Sequence, residues 1–309
     1  VAVAFAALLV LLALAAPGFY SSDEPRNVLL KALPLLVAAT GMTLVVLARQ
    51  IDISVGSQIS VCGAVAGLLS KAGLPVLAVA PLTLAAGAAL GALNGALVAG
   101  LGLPSIVATL ATMVTFQEAM RLERQGEFVK GLGEDFYWFG LGQRAGLVAC
   151  VLVALAVFAA FLWGLRHLRA GRAVYATGSD AEAARLAGFR PRHVVFWAFT
   201  AMGALSGLAA LLSAVKFPQV DPNLGQGREL QVVAAVVVGG VAVSGGRGTL
   251  LGVLFGVLLL STIGSALAFL GIPATWEKAV QGLIILVAVA SDAFNLRQRR
   301  NAGASLVSH

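Results

Sequence analysis

Long stretches of this chain carry no Asp, Glu, Lys or Arg at all: Val1 to Ser22, Ala32 to Ala48, Ile53 to Ser70, Ala72 to Gln117, Ala145 to Leu165, Val194 to Val215, Leu230 to Gly246, Gly248 to Trp276 and Ala279 to Ser291. A helix crosses the hydrocarbon core of a bilayer with about 20 mostly apolar residues, so such runs measure out membrane spans. The run ending at Gln117 has 46 residues, and Gly100-Leu101-Gly102-Leu103-Pro104 supplies a break that divides it in two. The sum is an all-α polytopic membrane protein of about ten transmembrane helices, within a range of about eight to ten. The runs near Val107, Leu230 and Ala279 are short, which predicts broken or re-entrant pieces.

Only 11% of the residues are charged, against about 25% in a soluble domain. A water-soluble globule and a disordered chain are both excluded. The formal charge is +7, but the basic residues sit at the ends of apolar runs and not in aromatic-interleaved patches, so nucleic acid is not an expected partner. Cys62 and Cys150 lie inside apolar stretches and read as small hydrophobes, with no thiolate metal site. Val1 to Ala16 lacks the basic start and small-residue cleavage site of a signal peptide and reads as the first span; position 1 is not Met, so an N-terminal piece is expected to be missing.

Sidedness follows the clustering of Lys and Arg in short loops. Arg166, Arg169, Arg172, Arg185, Arg190 and Arg192 make the densest group, which predicts a cytoplasmic loop over 166–193. With about ten spans, both termini then fall in the cytoplasm, including the tail 292–309 with Arg297, Arg299 and Arg300. The chain is expected to be one transmembrane domain over 1–309.

Gly87, Gly91 and Gly95 recur at four-residue spacing, as do Gly203 with Gly207 and Gly252 with Gly256. Small residues at i and i+4 form a flat stripe on which another backbone can rest. Packing within the chain is the first expectation, a subunit interface the second. Asn94, on the first stripe's helix, fits interhelical hydrogen bonding better than cargo contact.

In the basic loop, Ser179 or Asp180 is placed to cap a short helix over Ala181 to Ala187, with Glu182 in its first turn and Gly188 as its stop. A two-turn helix outside the bilayer is suited to docking, although an ordinary solvated connector has the same pattern. The segment Gly178, Ser179, Asp180, Ala181, Glu182, Ala183, Ala184, Arg185, Leu186, Ala187, Gly188 resembles the cytoplasmic coupling segment of permease subunits in ATP-binding-cassette (ABC) sugar importers of the ribose/xylose/galactose type. Gly41-Met42-Thr43 followed by Ile51 to Ser57 resembles that family's early signature. Pro104 to Met113 resembles a middle block, and Gly239-Gly240 through Ser244, Gly245, Gly246, Arg247 and Gly248 a late glycine-rich turn. The resemblance spans roughly Leu30 to Ala290.

It implies a permease in the cytoplasmic (inner) membrane of a bacterium that translocates a monosaccharide and is not itself an enzyme. It further implies a separate ABC ATPase pushing on the loop helix, an extracytoplasmic sugar-binding protein, a second permease copy or a paralogue, and the lipid bilayer as surroundings. Gly240 and Gly245 have phosphate-loop spacing, but the next residue is Gly246 and not Lys, so ATP is expected to bind and be hydrolysed in the partner subunit. No cofactor, metal or catalytic residue is expected in this chain. The histidines sit in loops or tail, and no span carries two acids.

Candidates for the pathway are Thr40, Thr43, Asp52, Ser54, Ser57, Asn94, Thr109, Thr112 and Thr115, with Gln117 beside them. Hydroxyl and amide groups suit a polyhydroxyl cargo, but a membrane Thr commonly bonds its own backbone. Arg49-Gln50 departs from the family's small residues before the Ile-Asp pair; as i and i+3 on one helical turn, Arg49 and Asp52 could form an ion pair, either anchoring the inner turn or retuning the pathway. The competing class, a secondary transporter or channel, finds few buried ionisable groups: Lys31, Asp52 and Glu118.

Overall fold

The computed structural model of the protein describes residues 1–16, 18–273, 276, 278–283 and 286. They form helices α1 (Ala2–Ala15), α2 (Gly18–Ser21), α3 (Glu24–Leu47), α4 (Val55–Lys71), α5 (Val76–Gly95), α6 (Ser105–Arg124), α7 (Gln143–His167), α8 (Arg169–Ser179), α9 (Ala181–Leu186), α10 (Pro191–Ala214), α11 (Arg228–Val238) and α12 (Leu250–Phe269). A π-helical turn, Ala96–Gly100, extends α5 to the expected Gly100–Pro104 break, and a 3-10 turn, Tyr137–Gly140, precedes α7. No strand forms among the described residues beyond an isolated antiparallel bridge between Val129 and Val220. The chain is an all-α membrane protein, since in lipid a helix satisfies its own backbone.

Five of these helices are long and apolar enough to cross a membrane: α3, α5 with its π turn, α7, α10 and α12. By that measure the described residues do not reach the expected count of about ten. Apolar runs overstate continuity: the run from Ile53 yields α4 with 17 residues, and the run from Leu230 outlasts α11, which has 11 and stops at Val238. The expected span Ala279 to Ser291 lies mostly outside the described residues, and the tail 292–309 lies wholly outside them.

The centre of the bundle is α10, which packs on α5, α3 and α4; α12 lies against α3 and α11, and α7 against α3. Lipid tails are as apolar as leucine, so close packing and not water exclusion holds such helices together. The glycine stripes supply it within the chain. A Cβ on Gly203 would run into the Gly87 carbonyl and sit 2.7 Å from the Gly91 nitrogen, while one on Gly207 would reach the Thr83 carbonyl at 2.6 Å. Gly252 and Gly256 meet Gly239 and Ala235 of the α11 end in the same way.

Pro34 lies inside α3. Having no N–H, it leaves the Leu30 carbonyl without its helical donor, and Lys216 Nζ donates to that oxygen at 2.7 Å. A lysine from beyond α10 thus completes a proline-interrupted helix. The bundle has two ends: the C-termini of α3 and α7 meet α8, α9 and the start of α10 at one, and Leu30, Lys216 and the start of α11 lie at the other.

Candidate functional site

Three motifs far apart in sequence converge at the α9 end. The last helical carbonyl of α3, that of Leu47, accepts the Gly246 N–H at 2.9 Å. The same carbonyl lies against Gly178, the penultimate residue of α8, so closely that a Cβ there would overlap it. Tyr175 on α8 donates its hydroxyl to the Gly248 carbonyl at 3.0 Å. Gly245 and Gly246 have φ of 81° and 70°, values a side chain resists, and a Cβ on either would strike Arg49 or Ser179. The early signature, the basic loop and the glycine-rich turn are therefore one main-chain assembly.

From it projects α9. Its N-cap is Asp180, whose Oδ1 accepts the Glu182 and Ala183 amides at 2.9 and 3.0 Å. Ser179 instead packs on Gly246. Ala184 is buried against the bundle, while Ala181, Glu182, Ala183, Arg185, Leu186 and Ala187 are exposed, and Gly188 follows at φ 82°. Arg185 Nε donates to Glu182 Oε2 at 3.0 Å, and this bond holds the Glu182 carboxyl below the usual range. Leu186, 76% exposed, gives the polar face an apolar tip. Asp180→Ala should remove the two capping bonds at a cost of about 1 kcal/mol, seen as faster amide exchange at Glu182 and Ala183 with the bundle amides unchanged.

A second polar cluster lies where α3 breaks into α4. Asp52 Oδ1 accepts the Ser54 amide at 2.9 Å and the Ser54 hydroxyl at 2.6 Å; Asp52 Oδ2 accepts Gln58 Nε2 at 2.9 Å. Asn94 of α5 donates to Ser54 Oγ at 2.8 Å. From α6, Thr109 Oγ1 accepts the Ile53 amide at 3.1 Å and Ser105 Oγ the Ile51 amide at 3.2 Å. Asp52, Ser54, Gln58, Asn94 and Thr109 are all fully buried. The amide oxygens of Gln58 and Asn94 have no hydrogen-bond partner, so the cluster retains two acceptors for a hydroxyl donor.

The expected Arg49–Asp52 ion pair is corrected. Arg49 sits at φ 62°, which ends α3 before a further turn can bring the two together; Arg49 is exposed while Asp52 is enclosed by Ser54 and Gln58. Of the other pathway candidates, Ser57 donates to the Ser54 carbonyl at 2.8 Å and stays beside the cluster. Thr40, Thr43, Thr112 and Thr115 bond carbonyls of their own helices, and Thr115 is exposed. Gln58 and Ser105 were missed by sequence reasoning; the one signal was an amide in the apolar helix that follows Asp52.

Residues 25–289 match the family model described as "Branched-chain amino acid transport system / permease component". The chain is 34% identical over 293 residues to the ribose import permease protein RbsC of Escherichia coli K12, covering 93% of this chain and 91% of that one. It is 34% identical over 311 residues to the autoinducer 2 import system permease protein LsrC of Escherichia coli O157:H7, covering 96% and 90%. The ribose import permease protein of Haemophilus influenzae is 32% identical, at 93% and 91% coverage. No solved structure matches.

Proposed function

Because this chain belongs to the family of the branched-chain amino acid transport system permease component, we propose that it is the membrane-spanning subunit of an ABC importer that carries a monosaccharide inward across the bacterial cytoplasmic membrane. The observation that carries the mechanism is the capped, exposed α9 seated on a main-chain assembly with the end of α3. In this reading α9 faces the cytoplasm, a separate ATPase grips Glu182, Arg185 and Leu186, and an extracytoplasmic sugar-binding protein delivers cargo at the opposite end. A second permease copy or a paralogue completes the pathway.

Thrust on α9 passes through Gly178 to the Leu47 carbonyl, and from there to the 48–54 break where Asp52, Ser54 and Asn94 are bonded. A shift of that break would loosen the cluster and expose the acceptors of Gln58 and Asn94 to a polyhydroxyl solute. ATP is bound and hydrolysed by the partner; this chain supplies the moving conduit.

The test reconstitutes the permease with its ATPase and binding protein in vesicles. Leu186→Asp and Arg185→Ala should reduce sugar uptake per ATP at least ten-fold while the permease remains monodisperse and equally abundant. Unchanged coupling in both variants would refute the α9 assignment, and uphill accumulation by the permease alone would refute the importer reading.

A further inference from the structure

At the end of the bundle opposite α9, a cavity of about 540 Å³ opens between α3, the 3-10 turn before α7, the end of α10, α11 and α12. Three cationic residues line it: Lys31 from α3, Lys216 from beyond α10, and Arg228 at the start of α11. Among the described residues no acidic one is in its lining, which also holds the amides Asn27, Gln143 and Gln231 and some apolar side chains. The ion pairs found among the described residues, Glu118–Arg121 and Glu182–Arg185, involve none of the three. Glu229, next to Arg228 in sequence, turns its carboxylate to Gly56 of α4. Glu24 is not in the lining and accepts from the lining residue Asn27 at 3.3 Å.

Concentrating like charge in a partly dry site is unfavourable without a counter-charge. Burial, and then the charge of Arg228, push the Lys216 ammonium down to about 8. One of its three N–H groups is held by the Leu30 carbonyl, which fixes the head at the cavity wall.

A second, independent observation points the same way. The Trp138 indole N–H and the hydroxyls of Ser213 and Ser261, all on the lining, are buried and have no hydrogen-bond partner. Trp138 is 2% exposed, Ser213 1% and Ser261 5%. Leaving such a group unmet costs about 1–3 kcal/mol, and an indole can only donate. An acceptor-rich anion satisfies all three together with the cations. The volume falls within the roughly 300–1,000 Å³ of small-molecule pockets and leaves room for a body attached to the charged group.

We infer that this cavity is an anion-binding site, in which Lys31, Lys216 and Arg228 together with Trp138, Ser213 and Ser261 hold the carboxylate or phosphate group of a small solute or of a lipid headgroup. Its lining shares no residue with α9 or with the Asp52 cluster, and the site does not depend on the cargo being a neutral sugar.

The test follows thermal unfolding of the purified full-length permease in detergent, with sodium phosphate, sodium glucuronate, glucose, or sodium chloride at matched ionic strength. Phosphate and glucuronate should raise the midpoint by several degrees in a saturable way, as a ligand selective for the folded state does, and glucose and chloride should not. Arg228→Gln and Lys31→Gln should each raise the half-saturating concentration at least ten-fold; Lys31 is exposed, so its variant keeps the test open if the other fails to fold. Ser261→Asp should raise the ligand-free midpoint and remove the response. A phosphate effect no larger than that of chloride, or one unchanged in Lys31→Gln, would overturn the assignment. In nanodiscs, loss of the phosphate response with phosphatidylglycerol but not phosphatidylcholine identifies a headgroup as the occupant. An equal response in both lipids identifies a soluble anion.

Discussion

Gly203→Val is expected to leave almost no folded permease in the membrane. The α5–α10 crossing brings backbone against backbone: the missing Cβ of Gly203 would already overlap the Gly87 carbonyl, and Gly91 faces the Phe199 carbonyl in the same manner. Overpacking a core costs about 1–3 kcal/mol when side chains can turn aside; here the obstacle is a peptide group, so the helices must separate and the cost exceeds roughly 3 kcal/mol. Because α10 also packs on α3 and α4, the separation disturbs the centre of the bundle. The monodisperse fraction after detergent extraction should fall at least ten-fold. Gly100→Ala, where an added Cβ meets nothing within 4 Å, should behave as wild type. Normal yield of the Gly203 variant would mean that α5 and α10 do not pack as described.

Asp52→Ala is expected to be the most damaging change in the polar cluster. It removes the acceptor for the Ser54 amide, the Ser54 hydroxyl and Gln58 Nε2 without removing those donors. Unmet buried donors cost about 1–3 kcal/mol each, and the remaining bonds of Asn94 and Gln58 to Ser54 Oγ offset part of this. A total of roughly 3–5 kcal/mol remains, enough to lower the melting temperature in detergent by roughly 10 °C. Asp52→Asn keeps one acceptor oxygen and should lose less than half as much. Equal losses in the two variants would show that the carboxylate's charge, and not its hydrogen bonds, maintains the break.

What could be read beforehand depended on whether the physics was local. The α9 helix was legible because its cap and its stop, Asp180 and Gly188, lie within nine residues, and the glycine stripes because spacing alone defines a helix face. The Arg49–Asp52 expectation failed because i and i+3 arithmetic presumes one continuous helix, while Arg49 takes a left-handed conformation that nothing in its side chain announces. The count of about ten spans is not confirmed among the described residues: an apolar run records which residues tolerate lipid, not how many successive ones stay helical. The cationic cavity was invisible because Lys31 lies far in sequence from Lys216 and Arg228, and only the fold assembles them. Lys31 was noticed in sequence solely as a buried ionisable candidate, and it is exposed.

The junction at the end of α3 has a mechanical corollary. A side chain can swivel out of the way of a shove, but the Leu47 carbonyl, clasped by Gly246 and overlain by Gly178, has no rotamer to retreat into. Any travel of α8 must then be taken up downstream, in the seven linking positions 48–54 that begin with Ala48, where the chain has already abandoned helical geometry. A joint without side-chain freedom thus sits directly upstream of the non-helical link that carries Asp52, an order in which a nudge on α8 would be passed toward the bonded carboxylate.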